Sequence, residues 1–411
     1  MTFSHIVLAA PLIAVTYLGV AVGEYPRLRM NRATIALVGA VAIVALGVMP
    51  LDVALDALDA NTLILLFAMM IVNAHLRLAG FFDWVGALLV SRARSPKTLL
   101  ACIVIASGAL SALFLNDTVV LIFTPLVLEV TATLKRNPVP YLVGLVTAAN
   151  IGSTATITGN PQNMLIGMSS RIPFGTFLLA LSPVALFGLL IAWLVLMRVY
   201  RSEFAAVRFD DARLPAVHVY MPLLQKALAL TAIMLIGFLA GAPIALAALA
   251  AAAALLVTRR VKPERIFEQV DWSLLVFFAG LFVVTGALGY TGLSDALFAL
   301  VKPVAQAGVA PLAVVTVMLS NLVSNVPAVL LFRPLVPHFA HPTSVWLTLA
   351  MASTLAGNLT LLGSVANLIV AESARARGVN LSFGEYLKAG IPITLLTVGA
   401  GIVWLSLYGG G

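Results

Sequence analysis

Long apolar stretches, each close to the length that crosses a bilayer, leave this chain few ways to fold. They occur near residues 3–22, 33–50, 62–80, 97–115, 117–134, 140–170 and 175–197. A second set follows near 226–241, 243–258, 272–290, 309–323, 325–339, 344–372 and 390–408. One membrane-spanning helix takes about 20 apolar residues. The 411 residues are 62% hydrophobic and 10% charged, with a mean hydropathy of +1.08, too little charge to cover a water-soluble surface. That length holds roughly ten crossings and their loops, with no room for a separate soluble domain. The expected fold class is an all-α polytopic membrane protein.

The net charge of +8 could suggest a nucleic-acid partner, but its distribution points to lipid instead. The basic residues lie in short loops between apolar runs, as the positive-inside rule places them. Strict alternation puts Arg27–Arg32, Arg92–Lys97, Lys135–Arg136, Arg198–Lys226, Arg259–Arg265 and Arg375–Lys388 on one side. Those loops hold 20 of the 24 Lys and Arg residues, all but Arg77, Arg171, Lys302 and Arg333, and Asp52, Asp56 and Asp59 share a loop on the other side. A multi-pass protein of the bacterial inner membrane, with both termini outside, is expected. Residues 6–22 imitate a signal peptide, but only His5 precedes the run and the arginines follow it. Cys102 is the single cysteine, so neither an internal disulfide nor a multi-thiolate metal site can form within one copy. The five histidines have no metal-ligand spacing, and no metal or other cofactor is expected.

The two sets of stretches match in sequence. Asn116-Asp-Thr-Val-Val-Leu-Ile-Phe-Thr-Pro-Leu-Val127 aligns with Asn325-Val-Pro-Ala-Val-Leu-Leu-Phe-Arg-Pro-Leu-Val336, with seven of twelve positions identical at an offset of 209. Gly159 and Asn163 align with Gly363 and Asn367 at 204, and Asn61 to Phe67 with Asp271 to Phe277 at 210. Residues 1–200 and 226–411 therefore read as two repeats joined by a cytoplasmic linker at 201–225. Each half crosses an odd number of times, so the second is inverted. Inverted repeats are the architecture of secondary transporters, because exchanging the conformations of the halves exchanges the open side. A duplication retained only for packing is the alternative.

Lipid cannot satisfy backbone N–H and C=O groups, so irregular backbone at membrane depth needs protein or a cavity around it. Each half has two such places. The first is a polar tip between apolar arms: Asn116-Asp117-Thr118 within about 97–134, and Ser320-Asn321 with Ser324-Asn325-Val326-Pro327 within about 309–339. Both arms start and end on one side by the charge count, which allows a re-entrant hairpin or two full crossings; equivalence to the second break favours the hairpin. The second place interrupts a single span. In about 140–170 it carries Asn150, Gly152, Ser153, Thr154, Gly159, Asn160, Pro161 and Asn163; in about 344–372 it carries Gly357, Asn358, Gly363 and Asn367. Glycine and proline break the helix, and hydroxyls and amides replace lost ladder bonds. Interrupted helices present free N–H and C=O ends to polar solutes and cations. Small-residue packing explains the Gly and Ser residues, but not the amides or Pro161.

Asp117 is the only acidic residue deep within the apolar stretches, since Glu129 and Glu372 lie near span ends. An ionisable group there is a functional candidate and suits a proton carrier, although it could instead cap the helix that starts at Thr118. Arg333 reads as snorkelling to the outer face, with a countercharge in the site as the alternative. His75 and Arg77 end the third span at the inner face, where His75 is a proton relay or a packed histidine.

At these breaks the sequence resembles the ion transporter superfamily, specifically the ArsB/NhaD-like permeases, which include arsenite/antimonite efflux permeases, sodium/proton antiporters and the melanosomal P protein. The residues that carry the resemblance are Asn116-Asp117, Asn150 to Asn163, Ser324-Asn325-Val-Pro327 and Ala356 to Asn367. The resemblance covers essentially the whole chain. It implies ten crossings plus two re-entrant hairpins, with a transport domain moving against a scaffold. The divalent-anion/sodium symporters of the superfamily look similar in layout and carry Ser-Asn-Thr at both hairpin tips. Here the tips read Leu115-Asn116-Asp117 and Ser324-Asn325-Val326. A carboxylate at a tip repels a dianion and suits a proton or cation.

The function expected is proton-coupled efflux of arsenite and antimonite, with Asp117 exchanging protons and Asn116, Thr118, Ser153, Thr154, Asn325 and Asn358 contacting the solute. Arsenite is a neutral trihydroxide at neutral pH, which side-chain amides and hydroxyls can bind without thiols. The alternative is a sodium/proton antiporter or sodium-coupled anion carrier, with sodium at the hairpin–break junctions. The driving force is thus a proton or sodium gradient. The chain carries no nucleotide-binding loop, so ATP dependence would require a separate ATPase subunit. An enzyme would need paired acids or a nucleophile–base pair at depth, and Asp117 has no such partner in its half.

Overall fold

The structure, a computed structural model, describes residues 3–25, 29–205, 209, 219–258 and 261–408. Arg27, Arg259, Arg260 and, within the 201–225 linker, residues 206–208 and 210–218 lie outside these. The first half runs α1 (Phe3–Val22), α2 (Arg32–Ala45), α3 (Leu51–Asp56), α4 (Ala60–Leu78), α5 (Phe81–Arg92), α6 (Pro96–Leu113), α7 (Asn116–Thr133), α8 (Pro138–Ser153), α9 (Pro161–Ser170) and α10 (Phe174–Val199). The second runs α11 (Met221–Leu239), α12 (Ile244–Leu256), α13 (Pro263–Phe267), α14 (Trp272–Thr291), α15 (Leu293–Gln306), α16 (Val309–Val323), α17 (Asn325–Phe332), α18 (Pro342–Ala356), α19 (Val365–Arg375) and α20 (Phe383–Tyr408). Between α1 and α2, Glu24–Tyr25 pairs with Met30–Asn31 in a two-residue antiparallel ladder.

Among the described residues, seven helices are long and apolar enough to cross a membrane: α4, α6, α7, α10, α11, α14 and α20. Length alone would make α6 and α7 two separate crossings. Their shared tip excludes that. The Asn116 backbone N–H donates to the Gly159 carbonyl at 3.0 Å, inside the interruption between α8 and α9. The tip therefore stands level with the middle of a neighbouring span. The α16–α17 tip meets the second interruption in the same way, with Asn321 Nδ2 donating to the Ala356 carbonyl at 3.1 Å. Both pairs are re-entrant hairpins. The crossings are α1, α2, α4, α8–α9 and α10, then α11, α12, α14, α18–α19 and α20.

Local sequence explains where these helices begin. Ser95 and Thr98 form a capping box with Pro96 in the first turn of α6, and Asn137 caps α8 ahead of Pro138. Asn160 Oδ1 accepts from the Asn163 backbone N–H at 2.9 Å, which starts α9 in mid-span. Small residues then bring backbones together. A Cβ on Gly152 of α8 would lie 2.1 Å from the Gly108 carbonyl oxygen of α6.

The caps also set the repeat register. Asp59 Oδ1 accepts from the Thr62 N–H at 3.1 Å to start α4, and Asp271 Oδ1 from the Leu274 N–H at 2.9 Å to start α14. Asp59 is thus the partner of Asp271, at an offset of 212. The offset of 210, which matched Asn61 with Asp271, is corrected: apolar residues slide along a helix without cost in a sequence match, whereas a cap does not.

Candidate functional site

The two interruptions are closed by the same device. Asn163 Nδ2 donates to the carbonyls of Ser153 at 3.1 Å and Thr156 at 3.0 Å, satisfying the end of α8. Asn367 Nδ2 donates to those of Gly357 at 2.7 Å and Thr360 at 2.8 Å at the end of α18. Each asparagine replaces ladder bonds that the break removed.

The repeats are also tied to each other by reciprocal contacts. Asn150, at the end of α8, donates to Asn358 Oδ1 at 2.9 Å and Asn367 Oδ1 at 3.1 Å, and accepts from Ser364 at 3.3 Å. It also accepts from Asn116 Nδ2 at 3.1 Å, which joins the first hairpin tip to the network. Thr354 holds the equivalent place in α18, offset by 204, and accepts from Asn160 at 3.2 Å and Gln162 at 3.3 Å. Each half-helix end therefore grips the interruption of the opposite repeat. All of these groups are buried or nearly so, where a satisfied polar network favours one arrangement over others.

Ser153 and Thr154 turn back onto the Asn150 carbonyl, at 2.8 and 3.3 Å. Their hydroxyls thereby cap the end of their own helix, and Ser153 Oγ also accepts from Asn160 Nδ2 at 2.9 Å. Gly152 and Gly159 serve close approach, since a Cβ on Gly159 would lie 2.3 Å from the Ser153 carbonyl oxygen. At the second tip, Ser324 takes φ +77°, a left-handed conformation unusual for a non-glycine residue. Leu115, the counterpart in the first tip, has φ −57°, so the tips differ in backbone as well as sequence. Among the described residues, the buried Oδ1 atoms of Asn116 and Asn325 have no partner, nor do the hydroxyls of Ser111 and Ser320. These are two pairs related by the offset of 209.

Asp117 and Thr118 lie on the other side of the first tip, where they line a cavity of about 160 Å³. Asn73 of α4 also lines it, and Arg77, Gln269 and Asp271 surround its end at the face that bears the basic loops. Arg77 donates to Gln269 Oε1 at 2.9 Å there. Cys102 is not among the lining residues. Two carboxylates, Asp117 and Asp271, therefore face one cavity. Asn73, Gln162, Asp271, Asn321, Thr354 and Ser364 were not foreseen as site residues. Their side chains are ordinary singly, and only the meeting of the repeats gathers them. Gln162, Asn321, Thr354 and Ser364 stood inside or beside recognised segments, whereas Asn73 and Asp271 did not.

Arg333 pairs with Asp59 Oδ2 at 2.9 Å and stacks over the Phe282 ring at 5.2 Å. It reaches the face opposite the basic loops, as snorkelling predicts, but ends on a carboxylate there. His75 is fully buried, and its Nδ1 donates to the Ile71 carbonyl at 2.8 Å, as a packed histidine does.

A transporter architecture with these breaks agrees with the comparison to known proteins. The citrate transporter family model matches residues 17–356. The chain belongs to the citrate transporter family. It is 34% identical to a silicon efflux transporter, LSI3, of Oryza sativa subsp. japonica, over 92% of this chain and 93% of that protein. It is 30% identical to a 46 kDa membrane protein of Mycobacterium leprae, over 98% of each. In fold it is similar to the crystal structure of the Alcanivorax borkumensis YdaH transporter, with a TM-score of 0.60, 16% identity, and 99% and 98% of the two chains covered. Family and relatives place the chain among membrane transporters rather than enzymes.

Proposed function

We propose that this member of the family is a secondary active exporter that moves arsenous and antimonous acid out of the cytoplasm in exchange for protons. The observation that carries the reading is the cavity beside the first hairpin tip, which combines the Asp117 carboxylate with amide and hydroxyl groups and no thiol. The basic face is read as cytoplasmic by the positive-inside rule, so the cavity receives solute from the cell interior. Arsenous and antimonous acids are small, neutral and rich in O–H groups. Hydrogen-bonding side chains recognise such solutes without needing a countercharge. Silicic acid has the same character, and a silicon efflux transporter is 34% identical to this chain. Citrate, the solute in the family's description, is a trianion at neutral pH. Asp117 and Asp271 facing one cavity would repel it.

A second reading has its own support. The unpartnered oxygens of Asn116 and Asn325 at the two hairpin tips suit sodium, which would make the chain a sodium/proton antiporter or sodium-coupled anion carrier. Antimonite accumulation in everted vesicles under an imposed pH gradient tests the choice. Accumulation that Asp117→Asn abolishes supports metalloid/proton exchange. No accumulation in either, together with sodium-dependent pH changes, transfers the assignment to sodium.

A further inference from the structure

The amide of Asn73 has no structural explanation. It sits on α4 and is 2% exposed, and among the described residues its Oδ1 has no hydrogen-bond partner. Its Nδ2 reaches Thr118 Oγ1 only at 3.5 Å, the outer limit of a hydrogen bond. Met70, Ala74, Leu121 and Leu274 line the same cavity, so an apolar residue would pack there equally well. A buried amide oxygen left without a partner costs free energy, which calls for a compensating ligand. Asn73 lies on a helix outside both hairpins and both interruptions, and its side chain lines a cavity that Asp117 and Thr118 line from the first hairpin tip.

We propose that Asn73 is a solute-binding residue, whose free Oδ1 accepts an O–H from a neutral hydroxylated solute held between α4 and the tip residues Asp117 and Thr118. The assignment rests on the metalloid reading above and extends it to a residue outside the repeat motifs. A solute with several O–H groups can donate to Asn73 Oδ1 and to the Asp117 carboxylate at once while accepting from Thr118. An anion, even one that carries an O–H, would meet the charge of the Asp117 and Asp271 carboxylates. The solute then bridges α4 and the hairpin, so Asn73 sets selectivity while Asp117 serves the proton.

The test is the concentration dependence of antimonite accumulation in everted vesicles holding the full chain, for wild type, Asn73→Leu and Asn73→Asp. Asn73→Leu keeps the volume and removes both polar groups. It is expected to raise KM about tenfold with little change in maximal rate, the scale of one lost hydrogen bond to the solute. Asn73→Asp keeps an acceptor oxygen and is expected to raise KM less. If Asn73→Leu does not reach the membrane, Asn73→Ser replaces it, with a rise of several-fold expected. An unchanged KM in the leucine or serine variant, or an aspartate variant as impaired as the leucine one, overturns the assignment and leaves the metalloid reading standing. Sodium competing with antimonite in wild type but not in Asn73→Leu also overturns it, giving the oxygen to a cation. No accumulation in wild type defeats the metalloid reading itself, and the assignment with it.

Discussion

Asn150 Nδ2 donates to Asn367 Oδ1 at 3.1 Å, joining the end of one repeat's half-helix to the interruption of the other. The same amide group carries contacts to Asn116, Asn358 and Ser364. Asn150→Ala strands those partners in a buried setting. Hydrogen bonds between membrane helices are individually modest, so the expected loss is on the order of 2 kcal/mol for the whole network. Thermal unfolding in detergent should show the variant clearly less stable than wild type, and less stable than Thr354→Val, because Thr354 makes weaker contacts. Equal stability of Asn150→Ala and wild type would mean the network is not structural.

The hairpin depends on a backbone-to-backbone approach between α6 and α8. Gly152→Ala would place a Cβ 2.1 Å from the Gly108 carbonyl oxygen, and backbone cannot rotate out of the way as a side chain can. The expected cost is about 3 kcal/mol or more, seen as loss of folded protein in the membrane. Gly175→Ala, whose added methyl meets nothing within 4 Å, is the control and should leave yield and thermal stability near wild type. A folded, active Gly152→Ala would contradict the packing described.

Hairpins and interruptions were legible because lipid punishes irregular backbone. Asn116, Asn160, Pro161, Asn163, Asn358 and Asn367 therefore stand out against apolar surroundings. Register was less legible. The aspartate caps at Asp59 and Asp271 reveal an offset of 212, while the apolar run between them matches at several offsets. Asn73 was not legible at all, since one amide in an apolar span carries no sign of the direction it faces. Ser153 and Thr154 were legible as polar residues at the break, but not their bonds to the Asn150 carbonyl, since a hydroxyl near a helix end bonds to its own backbone as readily as to a solute.

Asp59 and Asp271 are equivalent caps in different states. Asp271 lines the cavity, whereas Asp59 is held by Arg333 from the second hairpin. The ion pair joins the second hairpin to the start of α4 on the face opposite the basic loops, where a gating role can be tested. It is partly exposed, with side chains 30% and 10% accessible, and is therefore expected to contribute about 1 kcal/mol or less. Arg333→Gln should shift the conformational balance by up to roughly fivefold away from the form with the cavity open to the basic face. A Leu121→Cys probe in a Cys102→Ser background reads this, since Leu121 lines the cavity. Labelling from the basic face should slow in Arg333→Gln and stay near wild type in Arg333→Lys, which keeps the charge and leaves the Asp59 cap of α4 intact. Unchanged labelling would leave the ion pair without a gating role.

Central to the proposed function is that Asp117 couples solute export to proton movement in the opposite direction. Counting protons in proteoliposomes tests it most directly, with a pH-sensitive dye trapped inside, no sodium present, and antimonite supplied as the only gradient. Proton movement opposite to antimonite is expected in wild type, in a fixed ratio to the antimonite moved. In Asp117→Asn, antimonite is expected to equilibrate without proton movement. Antimonite movement that carries no protons in wild type, or that requires sodium, would contradict that coupling.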